Sequence, residues 1–382
     1  MKNTTSQVII VQRYYYNFRE GIFDCLQEMG LDFKLINSTR SRGRVKVHPD
    51  KVASVNYINN CVNFNIGNNI VVFPFLFWKL IKERPDVIVS EGGQNTINNI
   101  QIKWYCRLLG VPYIQWDLGK GYQNFGNSLG RRIYMRVYKS IANCANLIYG
   151  YNSSSKKYFE SLGIPSEKIV VLNNTVDTPT LKKVIENSSK ELPNDMAKQY
   201  DPNKKYIIFV GTLLPTKRIE DFAEIMAKLK GEYALLIVGS GKEEYTQSLK
   251  ELFKDIDCTF LGYKKPEELL PYYSIASFCI LPGLGGLSIN QAMAYGLPVL
   301  CTHADGAEED VVRNDETGYI YQDIDDAICY IHSKTDEDWK RMGRNASELM
   351  YGEFSLEKEC ERFINGITKV TDGSRKQHSP RA

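Results

Sequence analysis

The chain has 382 residues, of which 24% are charged, and a formal net charge of +3 at pH 7. That length suits two domains, each able to bury its own core, and so balanced a charge argues against wholesale nucleic-acid binding. Nine cysteines, from Cys25 to Cys360 with no CxxC pair, indicate neither a zinc cluster nor a disulfide framework, which fits a reducing, cytoplasmic setting.

The polar start Met1–Gln7 leads directly into an apolar run, so no signal peptide is expected. Val8–Val11 reads as a strand, Tyr14–Arg19 as the loop after it, Glu20–Met29 as a helix and Phe33–Ile36 as the next strand. The loop Arg40–His48 carries Arg40, Arg42, Arg44 and Lys46, which suits either a solvated surface or a grip on phosphate or anionic lipid. The most apolar segment, Ile70–Ile81, is interrupted by Pro74 and Lys79 and is too short to span a bilayer. Pro85–Val89 and Pro112–Gln115 read as buried strands. They end in Ser90, Glu91, Gly92, Gly93 and in Trp116, Asp117, Leu118, Gly119, and such strand ends are where open α/β sheets hold ligands. Ile133–Ala145 has helical spacing, and basic residues from Arg131 to Lys139 alternate with aromatics. That pattern serves an ordinary surface helix or one lying on an anionic membrane.

Leu147–Tyr149 and Val170–Leu172 close the first half, and the polar stretch Lys182–Asn203 reads as a linker. Strands then alternate with helices: Ile207–Val210, Ala234–Val238, Cys258–Leu261, Phe278–Leu281 and Val299–Cys301 are the strands, which implies a parallel sheet covered on both faces. The stretch Gly283, Leu284, Gly285, Gly286 opens the helix Leu287–Tyr295. Glycines at such a turn let backbone N–H groups approach a phosphate at a helix N-terminus, although a tight turn that binds nothing has the same spelling. Asp255 with Asp257, and Asp323 with Asp325, spell DxD but do not end buried strands. The four histidines show no ligand spacing, so no metal site is expected.

Gly211, Thr212, Leu213 with Lys217 and Arg218, then Leu236–Gly241, Phe260–Tyr263, Pro282–Val299, and Gly306 with Glu308–Tyr319 occur in the order seen in retaining glycosyltransferase family 4, the bacterial-type group 1 glycosyl transferases, and the chain resembles that family. The resemblance implies the GT-B fold, two Rossmann-like doubly wound α/β domains facing each other across a cleft. On that basis residues 1–180 form an acceptor-side domain, 181–205 a linker, 206–354 a nucleotide-sugar domain, 355–370 a helix crossing back to the first domain, and 371–382 a disordered tail. The implied activity is metal-independent, retaining transfer of a sugar from a nucleotide diphosphate donor, with no further cofactor, to a glycan or lipid-linked acceptor. The setting would be cytoplasmic, with the chain peripheral on the inner membrane face.

The resemblance assigns Lys217 to the donor's diphosphate, where a cation stabilises the charge that grows as the anomeric bond breaks. Gly211, Thr212, Tyr263, Gly285, Gly286, Leu287 and Gln291 line the donor site. Asp117 stands where relatives carry a histidine that positions the transferred sugar, with Glu91 as its rival. Thr212 replaces a family arginine, so Arg218, or Arg19 from the first domain, would supply the missing charge. Gly283 and Gln291 replace two family glutamates. A neutral amide at 291 still accepts hydrogen bonds from ribose, though more weakly than a carboxylate. The alternatives are a GT-B homologue that binds a nucleotide sugar or a partner with little or no turnover, and, more remotely, a sugar-nucleotide epimerase. The aromatic loop Tyr14–Arg19 suits a sugar acceptor or a packed interdomain surface.

Overall fold

The computed structural model describes residues 7–38, 61–66, 70–119 and 129–378. The chain divides into two compact units, Met1–Asn174 with Leu356–Ala382, and Thr175–Ser355. The basic loop Arg40–His48 lies outside the described residues.

In the first unit, strands β1 (Val8–Tyr14), β2 (Phe33–Ser38), β5 (Val87–Glu91), β6 (Tyr113–Asp117), β7 (Leu147–Gly150) and β8 (Ile169–Val171) form one sheet, in the order β2-β1-β5-β6-β7-β8 and parallel throughout. Their near-continuous apolar runs reflect burial on both faces. Val8, Ile10, Val87 and Val89 enter one core, while Ile9, Val11 and Ile88 enter the other, because successive side chains of a strand point to opposite faces. Apolar Ile70–Ile81 is divided around Pro74. Its start, β4 (Ile70–Val72), pairs antiparallel with β3 (Phe64–Ile66), and its end belongs to the helix Leu76–Glu83. Among the described residues no helix is long and apolar enough to cross a membrane.

The final helix, Leu356–His378, packs Cys360, Phe363 and Ile367 into the first unit's core. It approaches β7 at Gly366, where a Cβ would lie 2.4 Å from the Tyr149 hydroxyl. The expectation of a disordered tail from residue 371 is corrected as far as His378. The helix continues through Thr371, whose hydroxyl donates to the Ile367 carbonyl (3.1 Å), and Val370 is buried just before it. Residues 379–382 lie outside the described residues.

The second unit also holds a parallel sheet, of β9 (Lys205–Val210), β10 (Tyr233–Val238), β11 (Cys258–Gly262), β12 (Ala276–Leu281), β13 (Val299–Cys301) and β14 (Gly318–Ile320), in the order β11-β10-β9-β12-β13-β14. Residues 181–205, read from composition as a linker, belong to this unit. The helix Thr178–Asn187 is capped by Asp177, which accepts from the Thr180 N–H (3.0 Å), and a short helix follows at Asn194–Ala197. Leu181 and Met196 are buried in this unit's core, so a few apolar anchors outweigh the polar composition around them.

In each sheet the strand order reverses beside the first strand, between β1 and β5 and between β9 and β12. Chain connections there leave to opposite sides, and the carboxyl ends of the strands border an open crevice.

Candidate functional site

At the second unit's reversal point a cavity of about 310 Å³ is lined by Gly211 and Thr212 after β9, Gly239 and Ser240 after β10, Tyr263 and Lys264 after β11, and Ser288 and Gln291. Its narrow floor depends on Gly239, whose φ is +145°. A Cβ there would lie 1.8 Å from the Gly211 carbonyl oxygen, so two strand-end loops touch where only glycine fits. The helix Leu287–Ala294 starts at Gly286 (φ +56°), and Ser288 and Gln291, three residues apart, share the face that borders the cavity.

Lys217 ends a single 3-10 turn, Pro215–Lys217, and its ammonium donates to the carbonyls of Leu284 and of Gly285 (3.1 Å). In return the Leu284 N–H donates to the Thr216 carbonyl (3.0 Å). The glycine loop and the lysine turn are therefore stitched together from both sides. Burial lowers the Lys217 pKa from its ordinary value, with Asp305 partly opposing the shift. Two of the ammonium's three N–H donors are used in the loop. Arg218 takes a left-handed backbone conformation (φ +52°) and pairs with Asp221 at 2.6 Å.

At the first unit's reversal point a second cavity, of about 300 Å³, is lined by side chains from four strand ends, among them Arg13, Tyr16, Arg19, Glu91, Trp116 and Tyr151. Glu91 accepts from the Arg13 guanidinium (2.7 Å) and from the Arg13 backbone N–H (3.0 Å). Burial pushes Glu91 up, but the Arg13 charge and hydrogen bonds outweigh it and hold the carboxyl below its ordinary value. Asp117 accepts from the Gly93 N–H, the Gln115 amide and the Gly119 N–H, each at 2.9 Å, and from the Tyr138 hydroxyl at 2.7 Å. Burial nevertheless leaves its pKa raised, against those bonds. A Cβ on Gly92 would overlap this carboxylate, at 1.9 Å from Oδ2.

Residues 193–347 match the family model described as "Glycosyl transferases group 1". Over 237 residues, 61% of this chain and 63% of the relative, the chain is 27% identical to the O-antigen biosynthesis glycosyltransferase WbnH of Escherichia coli. Over 140 residues, 35% of this chain and 27% of the relative, it is 28% identical to the sulfoquinovosyl transferase SQD2 of Arabidopsis thaliana. The matches thus span less than two thirds of these relatives' own lengths. Among solved structures, Anabaena Alr3699/HepE in complex with UDP superposes with a TM-score of 0.73 at 14% identity, covering 95% of this chain and all of that one. The lipopolysaccharide outer core galactosyltransferase WaaB, in its apo form, gives 0.69 at 16%, covering 95% and 99%.

The fold is GT-B. Within it, Gly211, Thr212, Tyr263 and Gln291 meet in the second unit's cavity, whereas Lys217, Arg218, Gly285, Gly286 and Leu287 do not line that cavity. Lys217 instead holds the loop that carries Gly285. Asp117 borders the first unit's cavity, but its four donors make it a brace between the loops after β5 and β6.

Ser240, Lys264 and Ser288 line the second cavity without having been singled out in the sequence; nothing in their spacing marks them. The Arg13–Glu91 pair was missed for a different reason, since it joins two strand ends 78 residues apart. Gly283 has a structural cause. A Cβ there would lie 2.4 Å from the Thr216 carbonyl oxygen and 2.7 Å from the Lys217 carbonyl carbon, so this backbone path leaves no room for a glutamate.

His303, Glu308 and Glu309 place one possible metal-ligating atom each within 4.8 Å of one another. Glu308 is buried, and its carboxylate already accepts the N–H groups of Ala304 (2.7 Å) and Gly306 (3.0 Å), shaping the loop before its own helix. The DxD spellings serve other ends: Asp323 caps a helix by accepting from the Asp326 N–H (2.9 Å), and Asp257 pairs with Lys204.

Proposed function

We propose that the chain is a retaining glycosyltransferase of family 4 that moves a hexose or related sugar from a nucleotide diphosphate donor to a glycan or lipid-linked acceptor, without a metal or further cofactor. The observation that carries this reading is the cavity where Gly211, Thr212, Tyr263 and Gln291 meet, with the Lys217-stitched glycine loop in the same unit. Its exposed backbone suits a diphosphate, Gln291 suits ribose hydroxyls, and Tyr263, 69% exposed, suits the base. The printed names of the relatives, which include O-antigen and lipopolysaccharide transferases, and the UDP-bound structural neighbour support the substrate class.

A thermal-shift screen of nucleoside diphosphate sugars tests it, because a ligand that binds only the folded state raises Tm. At least one donor is expected to raise Tm and to release its nucleoside diphosphate when acceptor is added, with EDTA making no difference. Binding without release, over a full acceptor panel, would favour the inactive homologue. Loss of activity with EDTA, restored by a divalent cation, would refute metal independence, and an inverted anomeric configuration in the product would refute retention.

The acceptor's membrane setting is supported by the first unit. On the helix Thr96–Leu109, Ile97, Ile100, Trp104 and Leu108 form an exposed stripe at helical spacing, beside exposed Trp78 on Leu76–Glu83 and exposed Leu129 and Ile133 on Leu129–Cys144. Arg107 on the first of these helices and Arg132, Arg136 and Lys139 on the last are exposed as well. Aromatic and aliphatic groups together with cations fit the interface of an anionic bilayer. The cytoplasmic face of the inner membrane is the setting we infer. Sedimentation with anionic vesicles that weakens as salt rises is the expected result, and equal sedimentation with neutral vesicles would contradict it.

A further inference from the structure

Arg19 is 4% exposed, and its Nε and Nη1 have no hydrogen-bond partner among the described residues. It lines the first unit's cavity, where its guanidinium lies 4.2 Å from the Trp116 ring centroid, 5.4 Å from those of Tyr16 and Tyr151, and 5.6 Å from that of Phe18. Aromatic faces attract a cation but do not satisfy its N–H groups. Removing an ion from water without an anionic partner is unfavourable, and burial accordingly lowers the Arg19 pKa, with Glu91, Tyr16 and Glu359 opposing that shift electrostatically.

The other charges around the cavity are engaged elsewhere. Arg13 is held by Glu91, and Asp117 by its four donors. Glu91 and the buried Glu359 act on Arg19 electrostatically, but neither accepts a hydrogen bond from its Nε or Nη1, so the cavity lacks an acceptor for those N–H groups.

We propose that this cavity binds an oxyanion carried by the acceptor, a carboxylate or phosphate on a sugar, with Arg19 as its principal cationic contact. A guanidinium matches the paired oxygens of either group. The half-exposed ring of Phe18 and the neighbouring Tyr16 give the sugar an apolar wall. At about 300 Å³ the cavity is at the small end of the ligand-site range, which suits one sugar residue and not a whole glycan. The assignment to the acceptor rests on the sugar-transfer reading, whereas the oxyanion site itself does not.

The test is calorimetric titration of the full chain, without donor, using methyl β-D-glucuronide, glucose 1-phosphate, methyl β-D-glucoside and UDP. At least one anionic sugar is expected to bind ten or more times tighter than the neutral glucoside. A preference for the glucuronide identifies a carboxylate-bearing acceptor, and a preference for the phosphate a phosphorylated one. Arg19→Gln should weaken the anionic probe at least tenfold while UDP binding and the circular dichroism spectrum stay as in the wild type; Arg19→Lys should restore part of the loss.

Equal affinity for neutral and anionic sugars, or no anionic binding up to about 10 mM, overturns the proposal using the wild-type protein alone. Displacement of the bound anionic sugar by UDP overturns it differently, by assigning Arg19 to the donor's diphosphate. If no nucleotide sugar binds but the anionic sugar does, the transfer reading fails and the oxyanion site stands.

Discussion

The two units hold cavities of nearly equal size, each at the point where the strand order of its parallel sheet reverses, yet they are built from different materials. The second unit's cavity has a floor set by backbone, where Gly239 is pressed against Gly211. The first unit's cavity is shaped by buried charges and rings, with Arg13 on Glu91, Arg19 among four aromatics and Asp117 on four donors. A backbone wall suits a ligand part that many donors share, such as a diphosphate, while a side-chain wall can be changed residue by residue to select an acceptor. A parallel sheet with one reversal point thus leaves room for a general site and a particular one.

That contrast is sharpest under substitution, because changes in the second unit should act on the donor's binding and turnover, and breaking the buried Glu91 and Asp117 contacts of the first should act on stability. Lys217→Ala is expected to have the largest effect, lowering kcat by about 10²–10³, the scale of losing one preorganised charge-stabilising group. Its circular dichroism should stay native, and near-normal transfer would remove Lys217 from the mechanism. Glu91→Ala leaves the Arg13 guanidinium without its carboxylate in a site where both side chains are nearly buried, and should lower stability by about 3 kcal/mol in urea denaturation.

Glu91 also sets a pH signature. Its folded pKa lies below the ordinary 4.5, so the unfolded chain binds the proton more tightly. Its contribution is present above about pH 4.5 and is lost as pH falls through the lower folded value. Glu91→Ala should therefore flatten the acid limb of the stability curve, and an unchanged limb would refute the sign.

Gly92→Ala should be milder, costing about 1–3 kcal/mol as the Asp117 carboxylate is pushed aside. A neutral result would show that the brace is not tight. The smallest expected effect is Gln291→Glu, which should tighten nucleotide binding by about fivefold through a charge-assisted bond to ribose. Unchanged or weaker affinity by calorimetry would mean that residue 291 does not meet the ribose.

The sequence made these two regions legible to different degrees. Strand ends followed by glycines are local patterns: Val210–Gly211 does border the second cavity, whereas Leu281–Gly286 leads into the loop that Lys217 holds and not into the cavity. Gly283 looked like a lost glutamate because its reason lies in Thr216 and Lys217, which approach it only in the folded chain. The first cavity assembles from β1, β5, β6 and β7, and no local spacing reveals that Arg13 will meet Glu91 or that Arg19 will settle on Trp116. Tyr138 was read within a surface helix, yet its hydroxyl reaches inward to Asp117. Polar composition also misled at Thr371–His378, where the last helix runs on.

The central claim is that sugar leaves a nucleotide diphosphate donor with help from Lys217. The most direct measurement follows nucleoside diphosphate release from a panel of nucleotide sugars in the presence of acceptor, for wild type and Lys217→Ala side by side. The account predicts release from at least one donor by the wild type and a fall of about 10²–10³ in the variant. Equal release by both proteins, or none from any donor, would contradict it.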